Sequence, residues 1–123
     1  MSLILDENDA NYQIRAYEPG QIQINDKILD HSIIISAKKL IENWKPQNIL
    51  ALTADDLLII KELLPDILLI GTGTKLIFPP TEIYGELINV GIGVEIMDTR
   101  AACRTYNALT SENRNVVAAL IIA

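Results

Sequence analysis

GVEIMDTRAACRTYNALTSENRNVVAALII, residues 93–122, reads as a strand, a helix and a second strand. Gly93 to Met97 is a short apolar strand. Asp98 or Thr99 then offers a side-chain oxygen to the free amides of a first helical turn, so a helix begins there and runs to about Leu109. Within it Ala102, Tyr106 and Leu109 recur at i, i+4, i+7 and form a core-facing stripe. Arg100, Arg104 and Asn107 have the same spacing and form a polar one. Val116 to Ile122 is an unbroken apolar run. It is far shorter than the roughly 20 residues a membrane helix needs, and it reads as a strand buried on both faces.

The same alternation extends upstream. Ile67 to Ile70 is a strand broken by Gly71-Thr72-Gly73. After Pro79-Pro80, Thr81 to Val90 reads as a helix with Ile83, Leu87 and Val90 on one face, ended by Gly91. Asn48 to Leu52 is a short apolar strand, and Thr53 with Asp56 resembles a capping box opening a helix to about Leu64, before Pro65. Ile33 to Ile35 is a buried strand. Ser36 caps a helix over Ala37 to Lys45 that buries Leu40, Ile41 and Trp44 and stops at Pro46. Tyr12 to Leu29 differs, because apolar and polar residues alternate and Pro19-Gly20 and Asn25-Asp26 supply turns. This is an antiparallel hairpin or meander with one solvated face. The expected fold is therefore α/β and three-layered. It has a mixed, mostly parallel central sheet flanked by helices and an additional N-terminal antiparallel β layer. The 123 residues fit one domain, taken as 1–123.

Composition narrows the function classes. Half the residues are hydrophobic and few are aromatic, so the core is aliphatic. The net charge of −6 disfavours non-specific nucleic-acid binding and docking on anionic lipid. Cys103 is the only cysteine, which excludes an intramolecular disulfide and fits a reducing compartment. His31 is the only histidine, so no Cys/His zinc cluster exists, and no cofactor is expected. The N-terminus, MSLILDENDAN, has neither the basic and apolar regions of a signal peptide nor the Arg-rich amphipathic character of a mitochondrial presequence, so a cytoplasmic protein is expected.

Three places offer chemistry. Gly71-Thr72-Gly73 follows a strand, where α/β sheets bind ligands, and glycine lets a ligand approach backbone amides. A dinucleotide fingerprint needs a third glycine leading straight into a helix. Here Leu76 stands in that position and two prolines intervene, so a tight turn is the ordinary reading. Arg100, Arg104 and Asn107 form either a solvated helix face or an anion or partner site, since guanidinium forks bind carboxylates bidentately. Cys103 is either a buried core thiol or one activated by the helix start and the arginines, with His31 as a base only if the fold brings it close. Asp98 is a cap or a site residue. Glu82 and Glu86 show no paired spacing that demands acid–base work. Glu95 either faces solvent or pairs with an arginine, and Glu112 with Arg114 is expected to form a salt bridge.

In order and spacing these elements resemble a known family. They are Gly71-Thr72-Gly73, Gly91-Ile92, Val94-Glu95, Asp98-Thr99, Ala102-Cys103, Thr105-Tyr106-Asn107, Leu109, Glu112, Arg114 and Ala118-Ala119-Leu120. The family is that of the mitochondrial complex I (NADH dehydrogenase, ubiquinone) assembly factor three, with its uncharacterised bacterial and archaeal relatives. The match covers about the last 55 residues most strongly. The resemblance implies the three-layer fold, no assumed catalytic activity and a partner assembly protein. Without a presequence, it implies a bacterial cytoplasmic member. Two readings follow. One is a non-enzymatic interaction or assembly protein. The other is a small anionic-ligand-binding protein or enzyme with a pocket between the Gly71–Thr74 loop and the Asp98–Arg104 helix start. The candidate ligand- or partner-binding residues are Gly71, Thr72, Gly73, Asp98, Thr99, Arg100, Cys103, Arg104 and Asn107.

Overall fold

The computed structural model describes residues 10–123, and the first nine residues read above for targeting signals lie outside the described residues. Among the described residues, eight strands and three α-helices follow one another. They are β1 (Ile14–Glu18), β2 (Gln21–Ile24), β3 (Lys27–Leu29), β4 (Ile33–Ser36), β5 (Leu40–Ile41), α1 (Leu58–Leu63), β6 (Ile67–Gly71), α2 (Thr81–Asn89), β7 (Gly93–Met97), α3 (Thr99–Ser111) and β8 (Val116–Leu120).

The unbroken apolar runs become the middle of the molecule. β4, β8 and β6 are the three inner strands of a mixed sheet ordered β5-β4-β8-β6-β7. β8 runs parallel to β6 and antiparallel to β4, and β6 is parallel to β7. Side chains alternate across a strand, so each run supplies two cores. Ile33, Ile35, Leu69, Val116, Ala118 and Leu120 face one side, where Ala102, Cys103 and Tyr106 of α3 cover them with Ile14, Ile22 and Ile24 of the meander. Ile34, Leu68, Ile70, Val117 and Ala119 face the other, under Leu57, Ile60, Leu87 and Trp44. The antiparallel layer β1-β2-β3 is thus on the α3 side. The mixed central sheet, the flanking helices and the added antiparallel layer all match the expectation.

Two local elements differ from it. Ala37 to Lys45 is not a helix. The Ser36 hydroxyl does accept a bond from the Lys39 amide (3.1 Å), as an N-cap would, but the chain then turns back. Leu40 and Ile41 pair with Ile35 and Ile34 as β5. The same i→i+3 side-chain bond serves a cap and a turn, and strand pairing decides between them. Asn48 to Leu52 is a 3-10 turn over Ile49–Ala51 rather than a strand, with the Asn48 side chain capping Ala51. Ile49 and Leu52 are buried three apart, and Leu50 points to solvent. An apolar run this short does not separate strand from helix by periodicity.

Smaller differences concern ends and faces. Thr53 and Asp56 form the reciprocal capping box, with the Thr53 amide on Asp56 Oδ2 at 2.9 Å. The helix behind it starts with a 3-10 turn and ends at Leu63. On α2, Leu87 is buried and Ile83 half-buried, but Val90 is exposed. α3 continues two residues past Leu109, and β8 ends at Leu120 although Ile121 and Ile122 stay buried.

Candidate functional site

β6 and β7 are parallel, so the Gly71 loop and the Asp98 helix start emerge at the same edge of the sheet. They meet there through hydrogen bonds. The Thr72 amide donates to the Met97 carbonyl (2.9 Å), and the Thr99 amide donates to the Gly73 carbonyl (2.9 Å). The Thr99 hydroxyl accepts from the Gly73 amide (2.8 Å) and donates to the Ile121 carbonyl (2.6 Å). A cradle for a ligand needs free amides, and those of Thr72 and Gly73 are already spent. Gly71 is required by packing: a Cβ there would stand 2.9 Å from both Leu120 Cδ2 and Thr99 Oγ1. Gly73 has φ of +100°, which disfavours any side chain. The Thr72 hydroxyl folds the rest of the loop, accepting from the Ile77 amide and donating to the Lys75 carbonyl.

Asp98 caps α3, its carboxylate accepting from the Ala101 amide at 2.8 Å. It also lines a groove of about 220 Å³ with Gly73, Thr74, Arg100, Tyr17 and Pro19. This groove lies between the loop and the helix start.

The polar stripe of α3 lies along β1, the outer strand of the small sheet. Asn107 accepts from the Ile14 amide (3.1 Å) and donates to the Ile14 carbonyl (2.7 Å). Two turns earlier, Arg100 donates to the Tyr17 carbonyl (3.2 Å) and sits over the Tyr17 ring, 5.3 Å from its centre. Seven residues of helix rise about 10 Å and three of strand about the same, so the two elements match in length. The stripe therefore covers an edge that would otherwise present unpaired backbone groups. Arg104 lies between these two anchors. Next to it runs a cleft of about 240 Å³ whose walls include Arg15, Ala16, Tyr17, Arg100, Cys103 and Arg104.

Cys103 is buried in the floor of that cleft. Burial pushes its thiol up to about 12, and the nearby guanidiniums of Arg100 and Arg104 offset only part of this. His31 stands exposed beside Asp30. Burial also raises the phenols of Tyr17 and Tyr106, and Tyr106 donates to the Tyr12 carbonyl at 2.7 Å. Glu112 and Arg114 do not pair. Among the described residues the ion pairs made by lysine or arginine are Lys27–Glu42 and Lys61–Glu86. Positive φ at Asn113 turns the chain between them, and the Arg114 amide closes on the Leu109 carbonyl instead. Glu95 is exposed on β7.

A model of the family described as "Protein of unknown function (DUF498/DUF598)" matches residues 14–121. The chain belongs to this family. The match spans β1 to the end of β8, so it covers the meander, the central sheet and α3 together. Among DUF498/DUF598 relatives, the "13 kDa major membrane protein" of Francisella tularensis is 34% identical over 98% of this chain and 99% of its own length. Assembly factor 3 of the NADH dehydrogenase (ubiquinone) 1 alpha subcomplex from Danio rerio is 30% identical over 98% of this chain and 70% of its own. A solution structure from Bordetella pertussis, described as a Mth938-like domain, superposes with a TM-score of 0.81 at 29% identity, covering 99% of this chain and 90% of that one.

Arg15 is not among the residues expected from the sequence, because it lies on the polar side of an alternating strand, and the packing of β1 against α3 makes it line the same cleft as Arg104. A concavity of about 560 Å³ between the meander and β5 holds none of the expected residues, and its Lys27 and Glu42 bond each other at 2.6 Å. Among the described residues no three His, Cys, Asp or Glu side chains gather as metal ligands, and no helix is long and apolar enough to cross a membrane.

Proposed function

We propose that the protein is a cytoplasmic, bacterial, non-enzymatic interaction protein of the assembly-factor type. Its similarity to the fish assembly factor along nearly the whole chain supports this reading. The structural observation that carries it is a run of exposed apolar residues beyond the glycine loop. Phe78 is 66% exposed, Leu76 51%, and Leu50 across the adjoining groove 85%. Large apolar side chains left in solvent are what a protein interface uses. A single unpaired cysteine suits a reducing compartment. Affinity capture of the tagged protein from its own cells, with fractionation, tests the reading. The expected result is a stable protein partner, recovered in the soluble fraction and lost on Leu76→Asp/Phe78→Asp while the melting temperature holds. Recovery of no partner after cross-linking would overturn it. Recovery in the membrane fraction, as the name of the Francisella relative suggests for that protein, would overturn the compartment.

A second reading rests on the groove at Gly73, Thr74, Asp98 and Arg100, which offers one carboxylate and one guanidinium to a small polar ligand. A ligand that binds only the folded state raises the melting temperature. No shift with phosphates, nucleotides or carboxylates would remove this reading.

A further inference from the structure

The chain has four arginines, and three of them, Arg15, Arg100 and Arg104, line one cleft between β1 and α3. Among the described residues no carboxylate lines it, in a protein whose net charge is −6. Arg100 is held by the Tyr17 carbonyl and ring. Arg15 and Arg104 are exposed and make no ion pair or hydrogen bond among the described residues. Two guanidiniums thus line one cleft with ten N–H donors between them and no carboxylate among its described lining residues. The cleft has an apolar floor at Ile14 and Cys103, and its length is set by the two anchors of the helix on the strand, Asn107 and Arg100.

We propose that this cleft binds acidic side chains of a partner protein, with Arg15 and Arg104 as the paired carboxylate receptors. Its volume of about 240 Å³ is below the range of roughly 300–1,000 Å³ typical of small-molecule pockets, and it is open rather than enclosing. It suits carboxylates presented on a chain that passes over the surface. Arginine's planar fork donates two parallel hydrogen bonds to a carboxylate. The rest of the surface, being acidic, repels such a segment elsewhere and so directs it to this cleft. The choice of a protein segment rests on the interaction-protein reading above, while the choice of carboxylate rests on the cleft alone.

The test is titration of the purified, isotope-labelled protein with an end-blocked peptide alternating glycine and glutamate, at low salt, read by amide shifts. Saturable shifts are expected at residues 14–17 and 100–104, with affinity falling as salt rises. Arg15→Gln/Arg104→Gln is expected to weaken binding about tenfold or more and to leave the remaining spectrum unchanged, since both side chains are exposed. Lys38→Gln/Lys39→Gln, which removes the same charge elsewhere, is expected to change affinity much less. Absence of shifts in the cleft, or equal affinity in the two double variants, would overturn the proposal. So would saturable binding of inorganic phosphate there with the peptide silent, which would favour a free small anion instead. Because this readout uses the isolated protein, its failure differs from failure of partner capture. A partner lost on Leu76→Asp/Phe78→Asp but retained on Arg15→Gln/Arg104→Gln would keep the assembly reading and reject the cleft.

Discussion

Thr99 is fully buried, and its hydroxyl bridges the Gly73 amide and the Ile121 carbonyl. Replacing it by valine keeps the shape and leaves two buried backbone groups without partners. The expected cost is about 1–3 kcal/mol, read as a lower denaturation midpoint with unchanged slope. A midpoint like the parent's would show that the bridge carries no net stability. Cys103 supplies a second prediction at this scale. Its folded thiol sits at about 12, above the ordinary value of 9. The folded state therefore holds the proton more tightly, and this stabilisation is complete below pH ~9 and lost as pH rises toward 12. Stability is expected to fall above pH ~9, and Cys103→Ala to make the initial fall shallower. Thiol probes at neutral pH should react slowly with native protein and rapidly in denaturant. Fast labelling of the native state would contradict the burial.

At the scale of elements, the decisive contact is α3 lying along the edge of β1. Asn107 takes the place a neighbouring strand would hold, satisfying both the amide and the carbonyl of Ile14. Asn107→Ala removes both bonds. It is expected to destabilise by about 1–2 kcal/mol and to speed hydrogen exchange at Ile14 well beyond any change at Leu69 or Ala118. Uniform acceleration at all three would mean that the edge does not open on its own. The i, i+4, i+7 stripe was legible because helical periodicity is local. Its role was not, because nothing in residues 100–107 specifies that strand 14–18 will lie beside it.

For the whole molecule, one sheet separates two cores, and neither can be lost while the inner strands remain. Ile70 is fully buried on one side and Leu69 on the other. Ile70→Ala and Leu69→Ala are each expected to cost about 2–5 kcal/mol. Each should lower one common unfolding transition, because both faces share the same backbone. Two separable transitions in either variant would show that the layers unfold independently.

The sequence by itself determined the alternation of strands and helices from Ile67 to Leu120, the N-terminal antiparallel layer and a helix cap at Asp98 or Thr99. Each of these rests on patterns within a few residues: apolar runs, helical spacing, turn chemistry and a side-chain oxygen before a helix. The resemblance to the assembly-factor family rested on the order of those same elements. Where two conformations share one local signal, sequence could not choose. Ser36 bonds Lys39 in a cap and in a turn alike, and only pairing with Ile34 and Ile35 made Leu40–Ile41 a strand. The candidate site divides along the same line. Thr72, Gly73, Asp98, Thr99, Arg100 and Asn107 were legible as polar or glycine positions at strand ends and on one helix face. Tertiary structure spent the loop's amides on the start of α3, used Arg100 and Asn107 to cover an edge, and left Arg104 lining the same cleft as Arg15. Those outcomes depend on contacts between residues far apart in the chain, and short-range periodicity carries no information about them.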